Sequence, residues 1–183
     1  MRKTLLLLFL VISTNAFTQT LDKYDLINEK FSDCSYSKIY NDSIPKSIKF
    51  SNTKEWIAKT FGDYKSVLQY EDAENYKIII KGISALKDII SYEGNIRIIE
   101  KPDLLFTLII ECKDDKYRLK FENMTVNDIK QKEISLLTKS ETKLTYTIDE
   151  FIEIGSSHRF AISEGIVFLL NSASQDIQKH DEF

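Results

Sequence analysis

The chain has 183 residues, with 25 Lys and Arg against 28 Asp and Glu, a formal charge of −3 and a hydrophobic content of 43%. That balance supplies no electrostatic drive toward nucleic acid or an anionic membrane surface, so neither is expected as a partner. Five glycines with no glycine-rich loop, and two histidines, leave little material for a phosphate cradle or for a histidine-based metal or acid–base site.

The opening stretch MRKTLLLLFLVISTNAFTQT has the layout of a secretory signal peptide. Arg2 and Lys3 form a charged n-region, and Leu5 to Ile12 an apolar run too short to span a bilayer. Thr14 and Ala16 stand at the −3 and −1 positions of a cleavage site, and no cysteine follows closely enough for a lipid anchor. Residues 1–19 are therefore read as a leader and 20–183 as a single domain, exported to the periplasm or the medium without a membrane span. Loss of Arg2 and Lys3 takes the charge from −3 to −5. A domain of roughly 160 residues buries about 70% of its unfolded surface, enough to stand without staples. Cys34 and Cys112 are an even pair in an exported chain, which invites a disulfide; the alternative is two small buried hydrophobes in separate strands.

Cys34, Tyr36 and Tyr40 give a loose period of two and a first strand near 34–40. Pro45 suits a first helical turn, and Phe50, Thr53, Ile57 and Phe61 share one helical face with Trp56 on its flank, up to a stop at Gly62. Residues 66–72 and 76–82 read as a hairpin with a three-residue loop in which Asn75 takes φ > 0. This register pairs Leu68 with Ile80 and Tyr70 with Ile78, and sets Glu71 opposite Lys77. Residues 84–102 read as an elaborated strand connection, with extended pieces at Ile89 and Ile90 and at Ile96, Ile98 and Ile99 around a turn at Glu93-Gly94-Asn95. In a second hairpin, a two-residue turn at Asp114-Asp115 sets Cys112 opposite Tyr117, Ile110 opposite Leu119, Leu108 opposite Phe121 and Glu111 opposite Arg118. Residues 126–147 read as a polar connection around Ile134, Leu136 and Leu137, with room for a short strand. A helix over about 157–179 follows, with Ile162, Ile166, Leu169, Leu170, Ala173 and Ile177 at helical spacing. The expected class is α+β: a curved antiparallel sheet of about five strands, a helix after the first strand and a C-terminal helix on one face.

This order resembles a family of exported Bacteroidetes proteins, a domain of unknown function with a TATA-binding-protein-like (TBP-like) fold. The resemblance rests on Trp56-Ile57-Ala58-Lys59 with Phe61, on Val67-Leu68-Gln69-Tyr70-Glu71-Asp72, on the Ile-rich strand ending at Lys81-Gly82, and on Lys113-Asp114-Asp115-Lys116-Tyr117-Arg118-Leu119. It spans roughly Tyr36 to Val126, with 85–93 departing from the compact pattern. It implies a fold and no activity.

No catalytic constellation stands out. Ser156 and Ser157 beside His158 cannot form a triad from adjacent positions, and His158 is expected at a helix start on the surface. The acid pairs Glu71-Asp72 and Asp114-Asp115 fall at hairpin turns, where carboxylates bond the local backbone. The solvent-side face of the sheet is expected to carry Val67, Gln69, Ile79, Lys81, Ile109 and Lys120 among charges that cancel across strands. Its apolar members are either covered by the segment around Ile134 to Leu137, ordinary surface hydrophobes, or a cradle for an unidentified ligand or protein partner. The functional expectation is a non-catalytic exported binding or interaction module with no cofactor and no metal. The alternatives are a hydrolase using acids such as Asp72 and Asp114, and a structural subunit of an envelope assembly.

Overall fold

A computed structural model describes residues 35–135 and 138–179. The leader, Cys34 and the tail from His180 lie outside the described residues, and with them the cleavage site and the partner expected for Cys112.

Alternation sets the frame. In β5 (Ile96–Cys112), every second residue from Ile98 to Cys112 is buried, so one face of a 17-residue strand is covered throughout. Its antiparallel partner is β6 (Lys116–Ser135), paired from Cys112↔Tyr117 at the turn out to Arg97↔Glu133. These two strands are the spine of the sheet. Near their turn, β1 (Tyr36–Asn41) lies against β6, and β3 (Lys77–Ala85) lies against β5 with β2 (Leu68–Asp72) outside it. Toward their far end, β4 (Ile89–Glu93) pairs with β5 and β7 (Thr138–Thr147) with β6. The sheet thus has seven antiparallel strands, not about five. The extended pieces expected in 84–102 are β4 and the first part of β5, paired around the turn at Gly94, whereas 126–147 is largely strand rather than a connection with one short strand. Their alternation is hard to read because Glu100 and Asp128 occupy buried positions where a strand pattern leads one to look for apolar side chains.

The second hairpin has the expected pairs: Cys112↔Tyr117, Ile110↔Leu119, Leu108↔Phe121 and Glu111↔Arg118. Beyond them, Leu105↔Thr125 follows Thr107↔Glu122, which leaves one extra residue on β6, and Asn123 there adopts φ 52°. The bulge moves the buried set from Tyr117, Leu119 and Phe121 to Met124, Val126 and Asp128. The first hairpin departs from expectation. Leu68↔Ile80 holds, but Ser66 and Val67 are helical, and an irregularity after Leu68 gives Tyr70↔Ile79, Glu71↔Ile78 and Asp72↔Lys77. Asp72 winds the turn one residue longer. Its Oδ1 accepts the N–H groups of Glu74 (3.1 Å) and Asn75 (3.0 Å), and Tyr76 rather than Asn75 takes φ 52°.

The helices α1 (Lys46–Phe61), α2 (Tyr64–Val67), α3 (Ile148–Glu153) and α4 (Ser156–Ile177) contribute to a single apolar core with one face of the sheet. No side chain of its own neighbourhood caps α1; instead Asp114, at the β5–β6 turn, accepts the Lys46 N–H at 3.3 Å. Lys49, one turn on and wholly buried, donates to Asp42 Oδ1 (2.7 Å) and to the carbonyls of Asp114 (3.5 Å) and Lys116 (3.4 Å). The helix ends where Gly62 takes φ 78°. Asn52 Nδ2 ties α1 to the end of α4, donating to Ile177 O at 3.2 Å and to Lys179 O just beyond the helix at 3.0 Å. Thr147 and Glu150 form a capping box that starts α3. Gly165 admits a neighbour closely: a Cβ there would stand 2.3 Å from Leu86 Cδ2.

Candidate functional site

With the core on one side of the sheet, the opposite face carries the side chains of alternate parity. Three registered rows cross it near the hairpin turn. Lys77, Glu111, Arg118 and Ile39 form one, Tyr70, Ile79, Ile109 and Lys120 the next, and Lys81, Thr107 and Glu122 a third. Ile83, Leu105 and Thr125 follow beyond. Toward the far end the same face presents Ile90, Ile99 and Gln131, then Tyr92, Arg97 and Glu133. Period two along β3 and β5 places these side chains together, since residues two apart share a face.

The charges on this face answer one another. Glu111 lies between Lys77 Nζ, 3.4 Å from its Oε1, and Arg118 Nε, which donates to Oε2 at 3.0 Å. Partial burial works against the Glu111 charge, but Arg118 and Lys77 outweigh it and hold the carboxyl below its ordinary range. Lys120 pairs with Glu122, and Arg97 and Lys139 with Glu133. The apolar side chains between them have no such answer: Ile83 is 64% exposed, Ile39 54% and Tyr92 70%. A recess of about 160 Å³ at the β1 side is lined by Ile39, Glu111, Lys113, Lys116 and Arg118.

Of the residues expected on this face, Ile79, Lys81, Ile109 and Lys120 are brought together across three strands. Val67 is not among them. It belongs to α2 and packs half-buried against the core. Gln69 is exposed at the β2 irregularity, with its Nε2 donating to the carbonyl of Leu68 at 3.2 Å. Glu71 turns to the helical side, accepting from Tyr64 Oη at 2.7 Å and pairing with Lys54 of α1. Tyr70 takes its place on the open face. Sequence reasoning missed Tyr70, Ile39, Ile83 and Leu105; the last two continue the alternation of Ile79 and Ile109 and were legible by extending those strands. Of the segment expected as a cover, Leu136 and Leu137 lie outside the described residues; Ser135, paired with Thr138, stands roughly 50 Å along β6 from Lys120.

The acid pairs are engaged structurally. Asp72 holds its own turn, and Asp114 holds α1. His158 is not on the surface. It is buried in the first turn of α4, with Nε2 2.9 Å from Glu100 Oε2 and its ring edge-on to Phe151 at 4.8 Å. Cys112 is buried, has no disulfide partner among the described residues and lies 3.9 Å from Thr53 Oγ1; burial pushes its thiol up to about 11. Among the described residues no three His, Cys, Asp or Glu side chains are grouped so as to hold a metal ion, and no helix is long and apolar enough to cross a membrane.

The antiparallel sheet with its helices defines an α+β protein of the TBP-like class. The family model described as a domain of unknown function (DUF4468) with TBP-like fold matches residues 36–127, half of the chain, and the chain belongs to this family. Solved structures similar to it include a DUF4468 family protein from Bacteroides ovatus, 10% identical with a TM-score of 0.53, over 81% of this chain and 88% of that one. A TBP-like protein from Parabacteroides distasonis is 14% identical with a TM-score of 0.47, over 78% and 88%. At 10% identity the likeness to the Bacteroides ovatus protein is one of fold alone. Comparison with curated proteins yields no match.

Proposed function

We propose that the chain is an exported, non-catalytic binding module that takes a protein or ligand partner on the open face of its sheet. The supporting observation is the row Tyr70, Ile79, Ile109 with Ile83 and Leu105 beside it: apolar side chains grouped on the face away from the core. The paired charges around them favour a partner of mixed apolar and polar surface over a polyanion, which speaks against nucleic acid. The N-terminal sequence supports export to the periplasm or the medium. Neither alternative gains a specific observation: the acids a hydrolase would use are committed to a turn and a helix start.

The test is a photo-crosslinking residue placed at Ile83 in a chain secreted by a Bacteroidetes host, with a control at Phe168 on the outer side of α4. A discrete adduct is expected from position 83 alone, lost on Ile79→Asp with Ile109→Asp while circular dichroism and the melting temperature are retained. Equal labelling at both positions, or unfolding by the two aspartates, rejects the reading.

A further inference from the structure

The far end of the sheet holds a buried polar cluster that the open face does not use. Asp128 of β6 is 1% exposed, and neither of its carboxylate oxygens has a hydrogen-bond partner. An isolated carboxylate in that position is costly, since burial penalises the charged form and nothing bonds to it. Its neighbours do not relieve it. Glu100 of β5 is itself buried, and both its oxygens are engaged: Oε2 with His158 Nε2 at 2.9 Å, and Oε1 with Lys130 Nζ at 3.1 Å. Glu100 is thereby held ionised beside Asp128, its pKa lowered despite burial by His158 and Lys130. Tyr146 of β7 also faces the cluster, and Phe151 of α3 closes it, with its ring 5.8 Å from that of Tyr146 and 4.8 Å from that of His158.

We propose that Asp128 holds a proton in the folded protein, directed at the Glu100 carboxylate, and that this proton is part of a clasp fastening the start of α4 to the far half of the sheet. With its proton, Asp128 becomes a donor and removes one of two like charges buried together; without it, two carboxylates compete for Lys130 and His158. Burial first, and the Glu100 charge second, raise the Asp128 pKa from 3.8 to about 6, with Lys130 and His158 acting in the opposite sense. The sign follows from linkage. A folded-state pKa above the unfolded value stabilises fully below the unfolded pKa and loses that stabilisation as pH rises through about 6. The lowered Glu100 pKa acts with the opposite sign, its contribution being lost as pH falls through the folded value. On the export proposed above, the chain meets external pH directly, and the clasp weakens as pH rises from 3.8 to about 6.

The experiment is a carbon-13 carboxyl titration of Asp128 by NMR in the wild-type chain, paired with urea unfolding of wild type and Asp128→Asn from pH 4 to pH 8. An inflection near 6 is expected at Asp128. The ratio of the wild-type unfolding constant to that of Asp128→Asn should rise with pH by on the order of a hundredfold across the window. Amide protection in the first turns of α4 should fall over the same interval in wild type. An Asp128 inflection near the ordinary aspartate value overturns the proposal, as does an Asp128→Asn profile parallel to wild type. The titration decides alone if the variant does not fold.

Discussion

Lys49 exposes no surface, and its ammonium is answered by one carboxylate oxygen and two carbonyls drawn from the end of β1 and the β5–β6 turn. The pair it forms with Asp42 is therefore less a source of stability than a constraint: removing one member leaves the other uncompensated. Lys49→Ala should cost about 3–5 kcal/mol in chemical denaturation. A loss below about 1 kcal/mol would mean that water reaches Asp42 once the lysine is gone. Gly82 is a second fixed point. A Cβ there would meet the Phe106 ring at 2.6 Å, so the ring that joins Phe61 and Phe121 in edge contacts passes over this residue because no side chain stands in the way.

Among the elements, β6 shows how a single residue resets a strand. Asn123, at φ 52°, absorbs the extra position of the bulge and lets Met124, Val126 and Asp128 continue the buried side. Asn123→Val should destabilise by about 1–2 kcal/mol, because a β-branched side chain resists the left-handed region, whereas Asn123→Gly should stay close to wild type. Equal behaviour of the two in thermal melts would show that the bulge relaxes elsewhere. The bulge also explains what the sequence made legible. Before it, apolar alternation and opposed charges agree on one register, and the β5–β6 pairs near the turn can be written down from the residues alone. After it the phase shifts and Asp128 sits inside the alternation, so β7 and the far half of β6 look like a polar connection. His158 was misplaced for another reason. Its serine neighbours draw attention to the helix start, yet it stands four and eight residues before Ile162 and Ile166, on the buried stripe of α4. The candidate face was legible where the strands were: Ile79, Lys81, Ile109 and Lys120 follow from two hairpins. Val67 and Tyr70 did not, because Asp72 lengthens a turn and a short helix replaces the expected strand start.

At the scale of the whole molecule, the sheet is two smaller sheets sharing the strands β5 and β6, with one face given to the core and the other left open along both. A partner on the open face would lie across the shared strands, and the Asp128 clasp sits beneath their far half. The spine has one more consequence. The longest pairing in the sheet joins strands that follow one another in the chain through a two-residue turn, while β1 must return to β6 from far earlier in the sequence. Closing a short loop costs far less entropy than closing a long one, so the β5–β6 hairpin can assemble before β1 docks and before α4 settles. Folding kinetics should record that order. Leu119→Ala is expected to slow refolding in proportion to the stability it removes, and Ile177→Ala to leave refolding nearly unchanged while speeding unfolding. The opposite assignment would place the first-formed structure in the helical layer and make the spine its product.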